Sequence, residues 1–467
     1  MVRRLWVSSI LLIASPALLA AQETWYSVVH EGHRVGQAHI EVRSDPRGTR
    51  ESETLELDVQ QGPGHRNVTR GVEVLRDAAG ELLEMAFRFE GATAPIHWRG
   101  QILDSKLQKP MSGDAKPVVV ELRGEPFLLA HRAEALQDIW QGKTSSLHHS
   151  LFDPAQLATL DVAATAKPRA DGQFEILEVL GPSHRTKQET LVVDANGSLH
   201  ELHTQMFGED VSIEACSGPC APIDGTLDPL EYRVVRSPVS IPNTLVHRTL
   251  RYVLGGDVDT SFSIPTTAEQ SVQRQGNTTV ITVCSHCGNE PPPSAQDLQH
   301  YLAPNIWVRS DATEIQHFAT QAARGSQRVD LRMRALVQQV SRRMRGAISF
   351  LGYADALEAL HTGAGDCTEH AVLLAALARA QKIPTRVVSG LVYASRFSGK
   401  KNVFSPHMWV QAWEGDHWVS YDSALNGFDS THIALAIGDG SPEQYEAAVR
   451  ELKNLRMEKA GVVREPQ

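Results

Sequence analysis

The sequence predicts an α+β fold, with antiparallel β-rich domains first and a core of helices followed by antiparallel sheet toward the C-terminus. Two observations predict it. From about Gln22 to Val239, short runs alternate apolar and polar residues, the two-residue period of half-buried strands. Beyond Pro291 the apolar residues recur at helical spacing, and a second group of strand-like runs follows them.

Taken in chain order, Arg3 and Arg4 precede an apolar run from Leu5 to Leu19 that closes on Ala20 and Ala21, the pattern of a secretory leader. Ser8, Ser9, Ser15 and Pro16 interrupt that run, which is short for a membrane span. Strand-like alternation then appears at Ala38, Ile40 and Val42, at Leu55, Leu57 and Val59, and at Met85, Phe87 and Phe89. Turn signals separate the runs at Gln61-Gly-Pro-Gly64, Asp77-Ala-Ala-Gly80 and Asp194-Ala-Asn-Gly197. One amphipathic helix is expected over Phe127 to Trp140. A smaller β-rich stretch covers Ile241 to Val283, and Pro291-Pro-Pro-Ser294 reads as a linker.

Helical faces follow at Ile315, Phe318, Ala319 and Ala322, and at Met333, Leu336, Val337, Val340 and Met344. A third helix, from Cys367 to about Gln381, is apolar all round and therefore predicted to be buried. Strands are expected at Arg386 to Tyr393, His407 to Trp413, His417 to Asp422 and Thr431 to Ile437. The chain thus divides into a leader (1–21), a β-rich N-terminal domain (22–240), a small β-rich domain and linker (241–300), a core (301–440) and a C-terminal tail (441–467).

The formal net charge is −10, and loss of the leader removes two positive charges and no negative one. An acidic protein lacks the concentrated basic surface that phosphate binding needs, so nucleic acid is excluded as the main partner. After the leader, the most apolar stretch is Ala371 to Ala380. It contains Arg379 and is too short to span a bilayer, so a periplasmic or secreted protein is expected.

Four of the five cysteines fall in close pairs, Cys216 with Cys220 and Cys284 with Cys287. In an exported protein such pairs read first as disulfides. A four-thiolate zinc site, with His286 as an extra ligand, is the second reading. A redox-active Cys284-Ser-His-Cys287 is the third, and it ends a strand where redox cysteines usually open a helix. None of the three uses Cys367, and an odd thiol in an exported protein points to a reactive one.

A lone cysteine is commonly just a small buried hydrophobe. Cys367 differs in its surroundings. Asp366 suits a helix N-cap and Glu369 completes a capping box, which places Cys367 in the first helical position. There the helix dipole favours the attacking thiolate, and free N–H groups are expected to face an oxyanion. His407 opens one expected strand and Asp422 ends the next. A two-residue turn at Glu414-Gly415 would oppose them directly, whereas a longer turn through Asp416 would make the contact diagonal.

The motifs Gly365-Asp-Cys-Thr-Glu-His370, Ile383-Pro-Thr-Arg-Val-Val-Ser-Gly390, His407-Met-Trp-Val-Gln-Ala-Trp413 and Trp418-Val-Ser-Tyr-Asp422 resemble the transglutaminase-like superfamily. The resemblance covers roughly Leu302 to Ile437. It implies a papain-like core with Cys367 as nucleophile, His407 as base and Asp422 as the carboxylate that orients the base. Animal transglutaminases also use a tryptophan upstream of the cysteine for the oxyanion; the loop before Cys367 has none, and Trp307 does not align with that role. No cofactor is expected, no metal is assigned to the site, and no acidic loop transfers as a calcium site.

Other histidines read more blandly. His370, one helical turn after Cys367, is assigned to packing or support rather than metal. His30-Glu-Gly-His33 is one residue short of a zinc-protease motif and reads as a strand turn, and His148-His149 reads as a solvated loop. Segment 394–405, with Ser398-Gly-Lys-Lys-Asn402 at its tip, is expected to be a loop mobile enough to cover Cys367. Two functions compete. One is a thiol enzyme that forms a thioester with an amide carbonyl of a protein, peptide or cell-wall peptide and passes the acyl group to water or an amine. The other is an envelope binding or assembly protein that uses the same fold as scaffold.

Overall fold

The computed structural model describes residues 22–61, 64–91, 95–110, 117–181, 187–207, 209–228, 234–256, 263–322, 327–345, 353–425 and 427–463. The leader expected at residues 1–21 lies outside them.

The alternating N-terminal runs build one sheet of fifteen strands between Gln22 and Cys216. Each strand pairs with its neighbour in sequence, and the first, Gln22–His30, also pairs with the last, Glu209–Cys216. Two meandering arms are thereby joined along one seam. All the pairings are antiparallel except that of Glu125–Pro126 with Leu151–Phe152. The sheet curls around the segment that links its arms. Val28, Leu57 and Val59 from one arm and Ile176, Leu191 and Leu202 from the other share a cluster with Leu136 and Ile139 of that segment. Each such fully buried aliphatic side chain contributes roughly 1.5–3 kcal/mol.

The single helix expected over Phe127 to Trp140 is corrected to three short turns, Leu129–Arg132, Glu134–Leu136 and Gln137–Trp140. Buried charge explains why the segment holds its place. Glu178 and Glu189 oppose each other directly on adjacent strands and both point inward. Like charges so placed repel. Arg132 answers both, donating to Glu178 and to Glu189 (2.6 Å), with its guanidinium over the Phe127 ring. His149, read above as part of a solvated loop, lies on the strand Ser146–Asp153 with Nε2 3.1 Å from Glu178 Oε1. His30-Glu-Gly-His33 forms a two-residue hairpin turn, as the spacing predicts.

The C-terminal core stacks helices Thr313–Ala322, Val329–Arg343, Ala356–Thr362 and Cys367–Ala380 on a five-stranded sheet. Cys367–Ala380 is buried on nearly every side, as its composition predicts. Its one cation, Arg379, donates to the carbonyls of Thr385, Ala303 and Asp439, which ties the helix end to three segments. The mobile lid expected at 394–405 is corrected. Thr385–Phe397 and Lys400–Trp413 are strands of one long hairpin, joined at Ser398-Gly399, and Val235–Arg236 adds to its outer edge. Eight of the twelve residues of the expected loop therefore have a ladder partner.

The expected tail at 441–467 is also corrected. Pro442–Glu451 is a helix, and Arg456–Val462 is a strand paired with Leu250–Gly255 in a four-stranded sheet. That sheet shares a core with the back of the larger one, through Tyr252, Ile281 and Met457 against Leu391, Phe404 and Ile433. The molecule is strongly β-rich, with antiparallel sheets throughout its length.

Candidate active site

Helix Ala356–Thr362 ends on Gly363 in the left-handed region, and the chain turns through Gly365, also at positive φ, into helix Cys367–Ala380. A Cβ on Gly365 would lie 2.6 Å from Glu369 Cβ, so this position takes glycine for space as well as conformation. The capping box forms as its spacing predicts: Asp366 caps the helix, and Glu369 Oε2 accepts the Asp366 N–H at 2.9 Å. Glu369 Oε1 accepts the Ala354 N–H at 2.9 Å, which anchors the loop to the preceding segment.

Cys367 is the free cysteine among the described residues, and it is partly exposed. The other four close on their nearest partners, Cys216 with Cys220 and Cys284 with Cys287, at Cα separations of 5.6 and 5.7 Å. The disulfide reading therefore holds over the four-thiolate zinc reading.

Burial of the sulfur, reinforced by the Asp366 carboxylate, raises the Cys367 thiol well above its ordinary range, against the pull of the helix dipole. The Asp366 side chain takes the N–H groups of Thr368 and Glu369, so these two are not open to an oxyanion. One contact works the other way. The Met408 N–H favours the Cys367 anion, against the larger effect of burial.

His407 and Asp422 are both buried, and the His407 Nε2–H donates to Asp422 Oδ2 at 2.7 Å. The hairpin register differs from the direct opposition considered above. Val410 pairs with Tyr421 and Trp413 with Trp418 around a four-residue turn, so His407 and Asp422 meet diagonally. An offset of two residues preserves the face of a sheet, which is why the side chains still touch. With Nε2 committed to Asp422, the ring nitrogen left for proton transfer is Nδ1.

A further residue, not picked out from the sequence, completes this cluster. The His432 Nε2–H donates to the same Asp422 Oδ2 at 3.2 Å, and His432 Nδ1 lies 3.2 Å from Asp429 Oδ1. Asp422 Oδ1 accepts the N–H groups of Ala424 (2.7 Å) and Leu425 (3.2 Å). Burial opposes charge on both Asp422 and His432, but their mutual attraction wins. His407 and His432 hold the Asp422 carboxyl far below the usual carboxylate range, and Asp422 with Asp429 pushes His432 up to about 9. His370 follows the opposite course, since burial lowers its pKa; its Nδ1 lies 3.3 Å from Ser423 Oγ.

Ligand atoms of His407, Asp422 and His432 all lie within 4.8 Å of one another, a spacing that a metal ion also tolerates. Here two imidazole donors on one carboxylate oxygen already account for that convergence. Trp307 packs against Tyr353 in the helical core.

The small sheet supports the site from behind. The buried Glu269 accepts the Ser420 N–H (3.1 Å), the Ser420 hydroxyl and Gln411 Nε2 (3.2 Å), clamping the strand that leads to Asp422. On the other side of the His407 strand, Gly390 pairs with His407. A Cβ there would lie 2.0 Å from the Ile433 carbonyl oxygen and 2.9 Å from the Trp409 ring.

Residues 316–423 match the transglutaminase-like superfamily and form a transglutaminase-like domain that contains Cys367, His407 and Asp422. An uncharacterized protein of Mycobacterium leprae (strain TN) is 34% identical over 90 residues, 19% of this chain and 32% of that relative. The chain thus spans about a third of the length of that curated relative. Among solved structures, a β-barrel-like protein of the DUF1849 domain of unknown function from Brucella abortus matches with 10% identity and a TM-score of 0.33, covering 43% of this chain and 97% of that one. The periplasmic domain of TgpA from Pseudomonas aeruginosa matches with 15% identity and a TM-score of 0.27, covering 41% and 86%. Among the described residues, no helix is long and apolar enough to cross a membrane.

Proposed function

We propose that the protein is an exported thiol enzyme that attacks amide carbonyls of a protein, a peptide or the peptide part of a cell wall. The observation that carries this reading is the buried His407–Asp422 hydrogen bond, with the free Cys367 packed against the core that contains Met408, the residue next to His407. Because the resting thiol is neutral, His407 Nδ1 takes its proton as the sulfur attacks the carbonyl carbon. The tetrahedral adduct collapses when His407 returns that proton to the departing amine, which leaves a thioester on Cys367. Water or a second amine, deprotonated by His407, then releases the acyl group. Hydrolysis and transfer share the thioester and differ only in which acceptor reaches it.

Export rests on the leader pattern at residues 1–21 and on the two disulfides, which persist in oxidising compartments. A mature N-terminus near Gln22 is the expected result of N-terminal sequencing. For the chemistry, a thiol alkylator is expected to label Cys367 and stop turnover, and Cys367→Ala is expected to abolish it. Turnover retained in that variant would sink the mechanism.

A further inference from the structure

A space of about 450 Å³ lies inside the curl of the N-terminal sheet, and Cys367, His407 and Asp422 do not line it. That volume is within the range of small-molecule binding cavities. Its walls are largely aliphatic and aromatic, with Leu57, Val68, Phe87, Leu129, Leu202 and Ile213 among them. Tyr445 and Val449 of helix Pro442–Glu451 form part of one side.

Several charged groups on the walls already have partners, while Nε and Nη1 of Arg132 are buried with none. Glu53 Oε2 accepts the Leu129 N–H at 2.6 Å, and Glu189 is bracketed by Arg132, Lys187 (2.7 Å) and the Thr204 hydroxyl (2.6 Å). The strands that form the walls spend their backbone groups on ladder pairing. A peptide entering this space would bring amide groups that find few partners, at a substantial desolvation cost. A hydrocarbon chain brings none.

We propose that this cavity holds one long alkyl chain, that of a fatty acid or a single-chain lipid, with the head group at the mouth near Gln156, Glu443 and Arg450. The chain supplies the recognition, so ligands with different heads and the same chain compete for one site.

The test titrates the intact protein with the fluorescent fatty acid cis-parinaric acid. Saturated fatty acids of increasing length, and the alcohol and lysophospholipid of one fixed length, then compete below their micellar concentrations. Saturable one-to-one binding is expected, tightening by roughly fourfold per methylene until the space is filled and levelling beyond that length. Competition by all three head groups supports the chain as the recognised element. Competition by the lysophospholipid and not by the free acid or alcohol assigns recognition to the head and overturns the proposal. Leu160→Trp and Val68→Phe, which fill the space, are expected to weaken binding more than tenfold while circular dichroism stays that of the parent. Undiminished binding in a folded filled variant overturns the proposal, as do affinities independent of chain length or displacement by apolar tripeptides alone. If the filled variants do not fold, native mass spectrometry of the parent protein decides: a single alkyl-ligand adduct supports the site, and its absence overturns it.

Discussion

The two halves of the molecule bury charge in mirror-image ways. In the N-terminal sheet a cation, Arg132, is bracketed by the carboxylates of Glu178 and Glu189. In the transglutaminase-like domain a carboxylate, Asp422, is bracketed by the imidazoles of His407 and His432. A guanidinium between two carboxylates keeps its protons at any physiological pH, so the first cluster can only hold structure together. An imidazole can both give and take a proton, and His407 keeps one ring nitrogen out of the cluster. The proposed chemistry would thus turn similar electrostatics into a pin in one half and a proton-transfer device in the other.

The contrast breaks most readily at its two centres. Cys367→Ala is expected to lower turnover by at least about 10,000-fold with little change in thermal unfolding, because it removes a nucleophile and leaves the packing in place. Arg132→Met is expected to do the reverse. It strands two buried carboxylates, a loss of about 3–5 kcal/mol read by denaturant titration, while the folded fraction keeps its rate of Cys367 alkylation. A collapse of alkylation in folded Arg132→Met would show that the halves are not separable.

His432→Gln sharpens the comparison from the other side. It is expected to lower kcat by roughly ten- to a hundredfold through misplacement of Asp422 and His407, and to change the alkaline limb of the pH–rate profile. A purely structural role would change stability and leave that profile in place. A smaller effect is expected from Gly390→Ala, whose methyl collides with the Ile433 carbonyl and the Trp409 ring. Overpacking of that kind costs about 1–3 kcal/mol, checked by thermal unfolding.

A further effect is a pH dependence of stability. His432 is raised from 6.5 to about 9 in the folded state, so its contribution is complete below about pH 6.5 and is lost as pH rises through 9. Unfolding measured from pH 6 to 10 is expected to show this decline in the parent and a flatter curve in His432→Gln.

What could be read from the sequence divides along physical lines. The position of Cys367 was legible because capping is local: Asp366 and Glu369 act within one helical turn. The pairing of His407 with Asp422 was legible despite the wrong turn length, since an even slip keeps both on one face. His432 was not. It reaches Asp422 from a different strand, and nothing in its local pattern marks it apart from the flanking Asp429 and Thr431. The thiol pKa was misjudged because a helix-dipole argument omits burial and the neighbouring carboxylates, both of which are tertiary or side-chain facts.

In the N-terminal half the alternation announced strands but not their curl. A signal for the buried ion cluster was nonetheless present. Glu178 falls in phase with Ile176 and Leu180, and Glu189 with Leu191, so each occupies an inward position where a lone carboxylate is costly. An inward glutamate on each of two adjacent strands calls for a buried cation. The broken helix at Leu129–Trp140 supplies it.

The strand Arg456–Val462 lies beside Leu250–Gly255, some two hundred residues earlier in the chain, and so completes the small sheet that carries Glu269. That strand can join the sheet only after Leu250–Gly255 is in place, because non-local pairing must wait for both partners.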